Sequence, residues 1–156
     1  MQMLTPLKFI ADVHLGKLAR NLRLLGFDTY FDKSIDDNEI INMSLSENRI
    51  ILSRDKEMLN NKRVVEGYGI RSSDPREQIR EVMIRFDLHN YLKPFSRCMD
   101  CNGLIETVSK ESVNEYLPLK TRQYYEEFFK CTVCGKIYWE GSHYENMKKQ
   151  IQNLHG

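Results

Sequence analysis

Residues 7–28 read LKFIADVHLGKLARNLRLLGFD, and this stretch decides the fold. Leu7 to Ala11 is an apolar run of strand length that ends on an acid, Asp12. Leu15, Leu18, Leu22 and Leu25 then recur at helical spacing, and Gly26 supplies a stop. Lys17, Arg20 and Arg23 fall on the other arc, which on an amphipathic helix is ordinarily the solvated face. A buried strand followed at once by a helix is the opening unit of a parallel sheet.

The chain continues in the same alternation. Thr29-Tyr30-Phe31 predicts a second strand, and a helix follows from about Asp37 with Ile40, Ile41 and Leu45 inward. Arg49-Ile50-Ile51-Leu52-Ser53 is the clearest strand, and Asp55 comes just after it. Arg63-Val64-Val65 predicts a fourth strand. Asp74-Pro75-Arg76-Glu77 reads as a helix start: a cap residue, proline at the first helical position, and a glutamate to complete a capping box. Ile79, Val82, Met83 and Phe86 form the inward stripe of that helix. The expected fold is α/β, a mostly parallel sheet with helices on both faces.

All four cysteines stand in two matched pairs, Cys98-x-x-Cys101 and Cys131-x-x-Cys134. The two-residue gap lets both thiolates of a pair reach one ion from a tight turn, and two pairs complete a tetrahedron. The pattern therefore predicts a structural zinc site in a small antiparallel ribbon, with extra strands or a short helix in the long loop between the knuckles; two structural disulfides or a redox motif are the alternatives, disfavoured where thiols stay reduced. Gly103 and Gly135 are the expected turn residues. His143 is not needed as a ligand. A closed four-sulfur site has no position for water or substrate, so chemistry is expected in the first half of the chain.

At 156 residues and 41% hydrophobic content, the chain suits one ordinary domain plus a small appendage. We set the boundary at Pro94, giving residues 1–92 and a zinc ribbon at 93–156. Loss of a ribbon cysteine is then expected to unfold residues beyond Pro94 and spare the rest. Residues 1–92 carry 14 basic and 14 acidic side chains, and residues 93–156 carry 9 and 8. A bulk basic field for nucleic acid is absent. No apolar run approaches the about 18 residues that span a membrane. Met1 to Phe9 lacks the apolar segment and cleavage site of a secretory leader, so a cytoplasmic location with reduced thiols is expected.

Three acids stand where a parallel sheet gathers ligands. Asp12 follows the first strand, Asp55 follows the third, and Asp37 opens the helix after the second. The carboxyl ends of parallel strands share one rim, where crevices form. Two carboxylates about 4 Å apart repel by about 4 kcal/mol at an effective dielectric near 20. Such a cluster takes up a cation or a proton. Oxygen-only donors favour Mg²⁺ or Mn²⁺, which activate water and stabilise charge on a phosphodiester. Each acid also has a structural use. Asp37 or Asp36 caps the second helix, with Asp36-x-x-Glu39 fitting a capping box, and Asp55 caps a short helix near Lys56.

Several blocks resemble the PIN-like RNase domain of the Mut-seven C-terminal family. The first is Phe9 to Asp28, with Asp12, Gly16, Arg20 and Gly26 in place. Asp36-Asp37-Asn-Glu39 and Ile50-Ile-Leu-Ser53-Arg54-Asp55 resemble the second and third, and Arg71-Ser-Ser-Asp74-Pro75 the fourth. Pro94-Phe-Ser-Arg97-Cys98 and Trp139-Glu-Gly141-Ser142-His143 resemble the family's fused zinc ribbon. The resemblance implies a PIN-like fold and metal-dependent cleavage of RNA. It implies Asp12, Asp37 and Asp55 as metal-binding acids, and Arg20 and Arg54 as phosphate contacts. A fourth acid, common in such nucleases, has only Glu39 and Glu57 as candidates.

Tyr124, Tyr125, Phe128, Phe129, Tyr138 and Trp139 either stack on bases or pack the ribbon. His14 either assists a leaving group or is a surface histidine. The rival reading is a non-catalytic RNA-binding or ribonucleoprotein-assembly module of the same fold. A phospho-accepting receiver domain is a third, disfavoured by the ribbon and by the lack of a lysine after a fifth strand.

Overall fold

The computed structural model describes residues 7–152; the side chains of His143, Gln150 and Ile151 lie outside the described set. Four parallel strands form the first sheet: β1 (Lys8–Ala11), β2 (Asp28–Tyr30), β3 (Ile50–Ser53) and β4 (Gly67–Gly69), in the order β2-β1-β3-β4. The connecting helices are α1 (Gly16–Leu24), α2 (Asp37–Glu47) and α3 (Lys56–Leu59), and α4 (Pro75–Arg85) follows β4. The chain steps outward from β1 to β2, then crosses β1 to reach β3. The register sets Phe9 beside Thr29 and Ile10 beside Ile51.

Strand alternation sorts the core into two layers. Phe9, Ala11, Ile50 and Leu52 face the side where Leu18 and Leu22 of α1 and Ile79, Val82 and Met83 of α4 pack. Ile10 and Ile51 face the other side, against Ile40 and Ile41 of α2 and Met58 of α3. Helices thus cover both faces, which is why these strands are apolar on both sides.

Two local readings need correction. The fourth strand is Gly67–Gly69, not Arg63-Val64-Val65, and Val65 is 78% exposed. A Cβ at Gly67 would come within 2.8 Å of the Leu59 side chain, so the close approach of α3 to this edge overrides β propensity. On α2 the inward residue is Ser44, whose hydroxyl donates to the Arg49 carbonyl at 2.6 Å, while Leu45 is exposed. Asp74 caps α4 by accepting from the Arg76 N–H, with Pro75 in the first turn as expected; no box with Glu77 forms.

The second sheet is antiparallel, with β5 (Ile105–Val108), β6 (Phe128–Cys131) and β7 (Ile137–Tyr138) in the order β5-β6-β7. Between β5 and β6 lie two short α-helices, α5 (Lys110–Val113) and α6 (Leu119–Tyr124), with a 3-10 turn at Asn114–Tyr116 between them, and α7 (Ser142–Gln152) closes the described chain. Val113, Leu117 and Phe128 form a small core here, with Tyr125, Ile137 and Trp139 against it. The positive backbone angles of the knuckles fall on Asn102 (φ 68°) and Gly135 (φ 81°), so the first turn uses asparagine rather than Gly103.

The two sheets are joined by packing. Phe95, Cys98, Met99, Cys131, Tyr138 and Met147 belong to the same buried cluster as Leu18, Leu22 and Val82. Arg23, expected on a solvated face, is 4% exposed: Nε donates to the Thr29 carbonyl at 2.8 Å and Nη1 to the Met99 carbonyl at 2.9 Å. Asn102 accepts from the Thr29 N–H at 3.1 Å and donates to Asp28 at 2.7 Å. No helix among the described residues is long and apolar enough to cross a membrane.

Candidate functional site

Asp12 continues β1 by one residue, its N–H donating to the Leu52 carbonyl at 3.1 Å. That ladder bond carries its side chain to the carboxyl rim of the sheet, where it is buried. Both carboxylate oxygens are engaged: Oδ1 accepts the His14 N–H at 2.8 Å, and Oδ2 accepts the Ser53 hydroxyl at 2.5 Å. The Ser53 oxygen in turn accepts the Asp55 N–H at 2.9 Å. One fully buried hydroxyl therefore links the acid after β1 to the acid after β3.

Asp55 caps α3, its Oδ1 accepting from the N–H groups of Glu57 at 2.9 Å and Met58 at 3.3 Å. Asp37 has no such duty. The cap of α2 is Asp36, which accepts the Glu39 N–H at 2.8 Å while Glu39 reaches back to the Asp36 N–H, completing the capping box. Asp37 occupies the first helical position with its carboxylate unbonded among the described residues. Asp37 is exposed, yet partial desolvation raises its pKa, and so do the charges of Asp55, Asp12 and Asp36. Residues 12, 37 and 55 thus share one electrostatic environment, although their oxygens do not form a cluster as tight as the cysteines do.

The two candidate arginines differ. Arg54 is exposed beside Asp55 and donates to the Arg71 carbonyl at 3.4 Å. Arg20 is turned toward the ribbon and pairs with Asp100. Of the candidate fourth acids, Glu39 is held by the capping box and Glu57 lies exposed in the first turn of α3.

The cysteines converge. All four Sγ atoms lie within 4.8 Å of one another, with Cys98 to Cys134 at 3.6 Å and Cys101 to Cys131 at 3.4 Å. Zinc–sulfur bonds of about 2.3 Å in a tetrahedron put sulfurs about 3.8 Å apart, so the donor set fits zinc. None of the four is in a disulfide. Backbone N–H groups of Gly103, Val133 and Cys134 point at Cys101 and Cys131 sulfurs at 3.3–3.4 Å, an arrangement that favours thiolates. Tyr138 Oη lies 3.0 Å from Cys98 Sγ and accepts the Met99 N–H at 2.9 Å. The buried Arg23 is within electrostatic reach of Cys101 and Cys98, a contact no sequence pattern announced.

Of the ribbon aromatics, Phe128 is fully buried and Phe129 stacks on Phe95 at 4.9 Å between ring centres. Tyr124 is exposed, and Trp139 is half-buried with its edge on Phe128.

The family model described as Mut7-C RNAse domain matches residues 7–151. No curated protein and no solved structure gives a significant match.

Proposed function

The chain belongs to the Mut7-C RNAse domain family, and from that premise we propose that it is a metal-dependent ribonuclease in which Asp12, Asp37 and Asp55 hold a Mg²⁺ or Mn²⁺ ion against an RNA phosphodiester. One observation carries this reading: the exposed Asp37 carboxylate has no protein donor among the described residues and stands in the field of Asp55 and Asp12, which with partial desolvation raises its pKa. Mutual repulsion of that kind is relieved by a cation. The donor chemistry suits a hard ion, because it is all oxygen and capping occupies only one oxygen of Asp55, and the three carboxylates would draw closer than they stand to share one ion. When bound, such an ion lowers the pKa of water and offsets charge on the phosphoryl oxygens.

The residues of the chain supply position and charge. Ser53 orients Asp12 and Asp55 together. Arg54 stands beside Asp55 at the rim as a phosphate contact. Arg20 serves in that role only by exchanging Asp100 for phosphate. The four cysteines hold a structural zinc ion with no open coordination position. Residues 1–92 form the nuclease part and residues 93–156 the ribbon, and buried residues of both belong to one cluster.

The test is cleavage of end-labelled single-stranded and structured RNA with and without Mn²⁺, beside an Asp12→Asn/Asp55→Asn double variant. Metal-dependent cleavage lost in a folded double variant supports the reading; cleavage retained there sinks it.

A second reading has one observation in its favour. Both oxygens of Asp12 and one of Asp55 already accept protein donors, as purely structural acids would. A non-catalytic RNA-binding module would shift RNA on a gel in a salt-sensitive way, without turnover.

A further inference from the structure

A cleft opens between the parallel-sheet part and the ribbon. Its volume is about 680 Å³, within the roughly 300–1,000 Å³ usual for ligand clefts. It runs between the first half of α1, the start of α4 and the ribbon with α7, and its walls include Lys17, Arg20, Arg76, Lys136 and Trp139. Two of these elements begin at the rim. Lys17 sits in the first turn of α1, which starts four residues after Asp12, and Arg76 sits in the first turn of α4, downstream of the β4 end.

Charge in the cleft is unbalanced. Arg20 and Lys136 converge on one carboxylate, Asp100, the lysine at 2.9 Å. Arg76 is 72% exposed and only loosely paired with Asp74 at 3.7 Å. Lys17 is exposed, with no acid against it among the described residues. Four cations thus face two acids, in a chain whose 23 basic and 22 acidic groups otherwise nearly cancel. Trp139 adds an aromatic surface to this wall. Spaced cations beside an aromatic ring suit a single nucleic-acid strand, with phosphates on the cations and a base on the ring.

We propose that this cleft is a binding track for single-stranded RNA, which leads the strand across Lys17 and Arg76 to a base-stacking position on Trp139. The inference rests on RNA being the substrate of the acid rim, and it adds how the ribbon shares in binding. A duplex is not expected to occupy the stacking position on Trp139, because its bases are already stacked on each other.

Trp139 is the only tryptophan of the chain, so its emission reports on the cleft alone. The full chain is titrated, without added divalent cation, with single-stranded RNA of about 12 nucleotides, which falls in the range of single-strand site sizes. The same-length RNA duplex and poly-glutamate are titrated in parallel. Single-stranded RNA is expected to quench the emission, and the other two are not. In Lys17→Ala/Arg76→Ala the salt slope of binding should fall by about 1.4, two lost phosphate contacts at about 0.7 each. With Mn²⁺ the same variant should cleave with raised KM and unchanged kcat.

Binding and quenching that are unchanged in Lys17→Ala/Arg76→Ala overturn the track while leaving the nuclease reading intact. Equal quenching by poly-glutamate also overturns it, in favour of an acidic protein partner. The expected binding results without any metal-dependent cleavage support the track and remove the nuclease reading instead.

Discussion

The hydroxyl of Ser53 is bound to Asp12 Oδ2 across neighbouring parallel strands, and both residues are buried. The same oxygen accepts the Asp55 N–H, so one small side chain holds two of the three rim acids. Ser53→Ala would leave a buried carboxylate oxygen short of its donor, a loss of about 1–3 kcal/mol. It should also weaken Mn²⁺ binding, read by titration calorimetry. A loss of stability with unchanged Mn²⁺ affinity would make Ser53 a packing residue only.

Asp37 sits above its ordinary pKa of 3.8, from partial desolvation first and then from Asp55 and Asp12. The folded chain therefore holds this proton more tightly than the unfolded chain does. Stability is lost as pH rises from about 3.8 through the folded value. Asp37→Asn should raise the metal-free Tm at neutral pH, with the difference vanishing below that window. Mn²⁺ should stabilise the natural chain more than the variant. Thermal melts at several pH values, with and without Mn²⁺, check both.

Asp28 behaves in the opposite sense. Burial alone would raise its pKa, but hydrogen bonds from Arg49 at 2.8 Å and Asn102 at 2.7 Å outweigh it, and the net shift is downward. Its contribution is complete above the unfolded value near 3.8 and is lost as pH falls through the lower folded value. An Asp28→Asn variant should be less stable at neutral pH and should lose less on acidification below about pH 4. Denaturant midpoints across that range measure it.

Removal of zinc should unfold more than the ribbon. Structural zinc in finger peptides contributes about 10–16 kcal/mol, more than a small module's own core supplies. Because Cys98, Cys131 and Tyr138 share a buried cluster with α1 and α4, Cys98→Ser should lower stability along the whole chain in one transition. Two separate transitions, with protected amides surviving in β1 and β3 by hydrogen exchange, would restore the simpler picture of independent parts.

Gly26 stops α1 with φ at 99°, and a Cβ there would lie 2.3 Å from the Lys93 carbonyl oxygen. Gly26→Ala meets both a strained backbone angle, costing about 1–3 kcal/mol, and a backbone clash. A Tm drop of several degrees is expected; an unchanged Tm would mean that the Leu25–Lys93 contact is not maintained in solution.

Much of this was legible in the chain itself. Apolar runs ending in acids marked β1 and β3, Asp74-Pro75 marked α4, and the cysteine spacing marked the ribbon, because each signal is local. What escaped depends on distant partners. Arg23 reads as a surface cation until its acceptors, Thr29, Met99 and Asp100, are folded around it. The valines at 64 and 65 carry the higher strand propensity, yet only Gly67 lets the edge strand close under Leu59. At the rim, sequence nominated Asp12, Asp37 and Asp55 and offered both Asp36 and Asp37 as the cap; only the folded helix decides for Asp36 and leaves Asp37 unbonded among the described residues.

The buried Arg23 has a consequence for how this chain can be cut and inherited. Its guanidinium leaves a helix of the parallel sheet and ends on carbonyls of the first cysteine knuckle. A fragment stopping at residue 92 would keep the cation and lose two of its acceptors. A transplanted ribbon would keep the thiolates and lose the positive charge beside them. Each half therefore completes the polar contacts of the other, and neither is an interchangeable part.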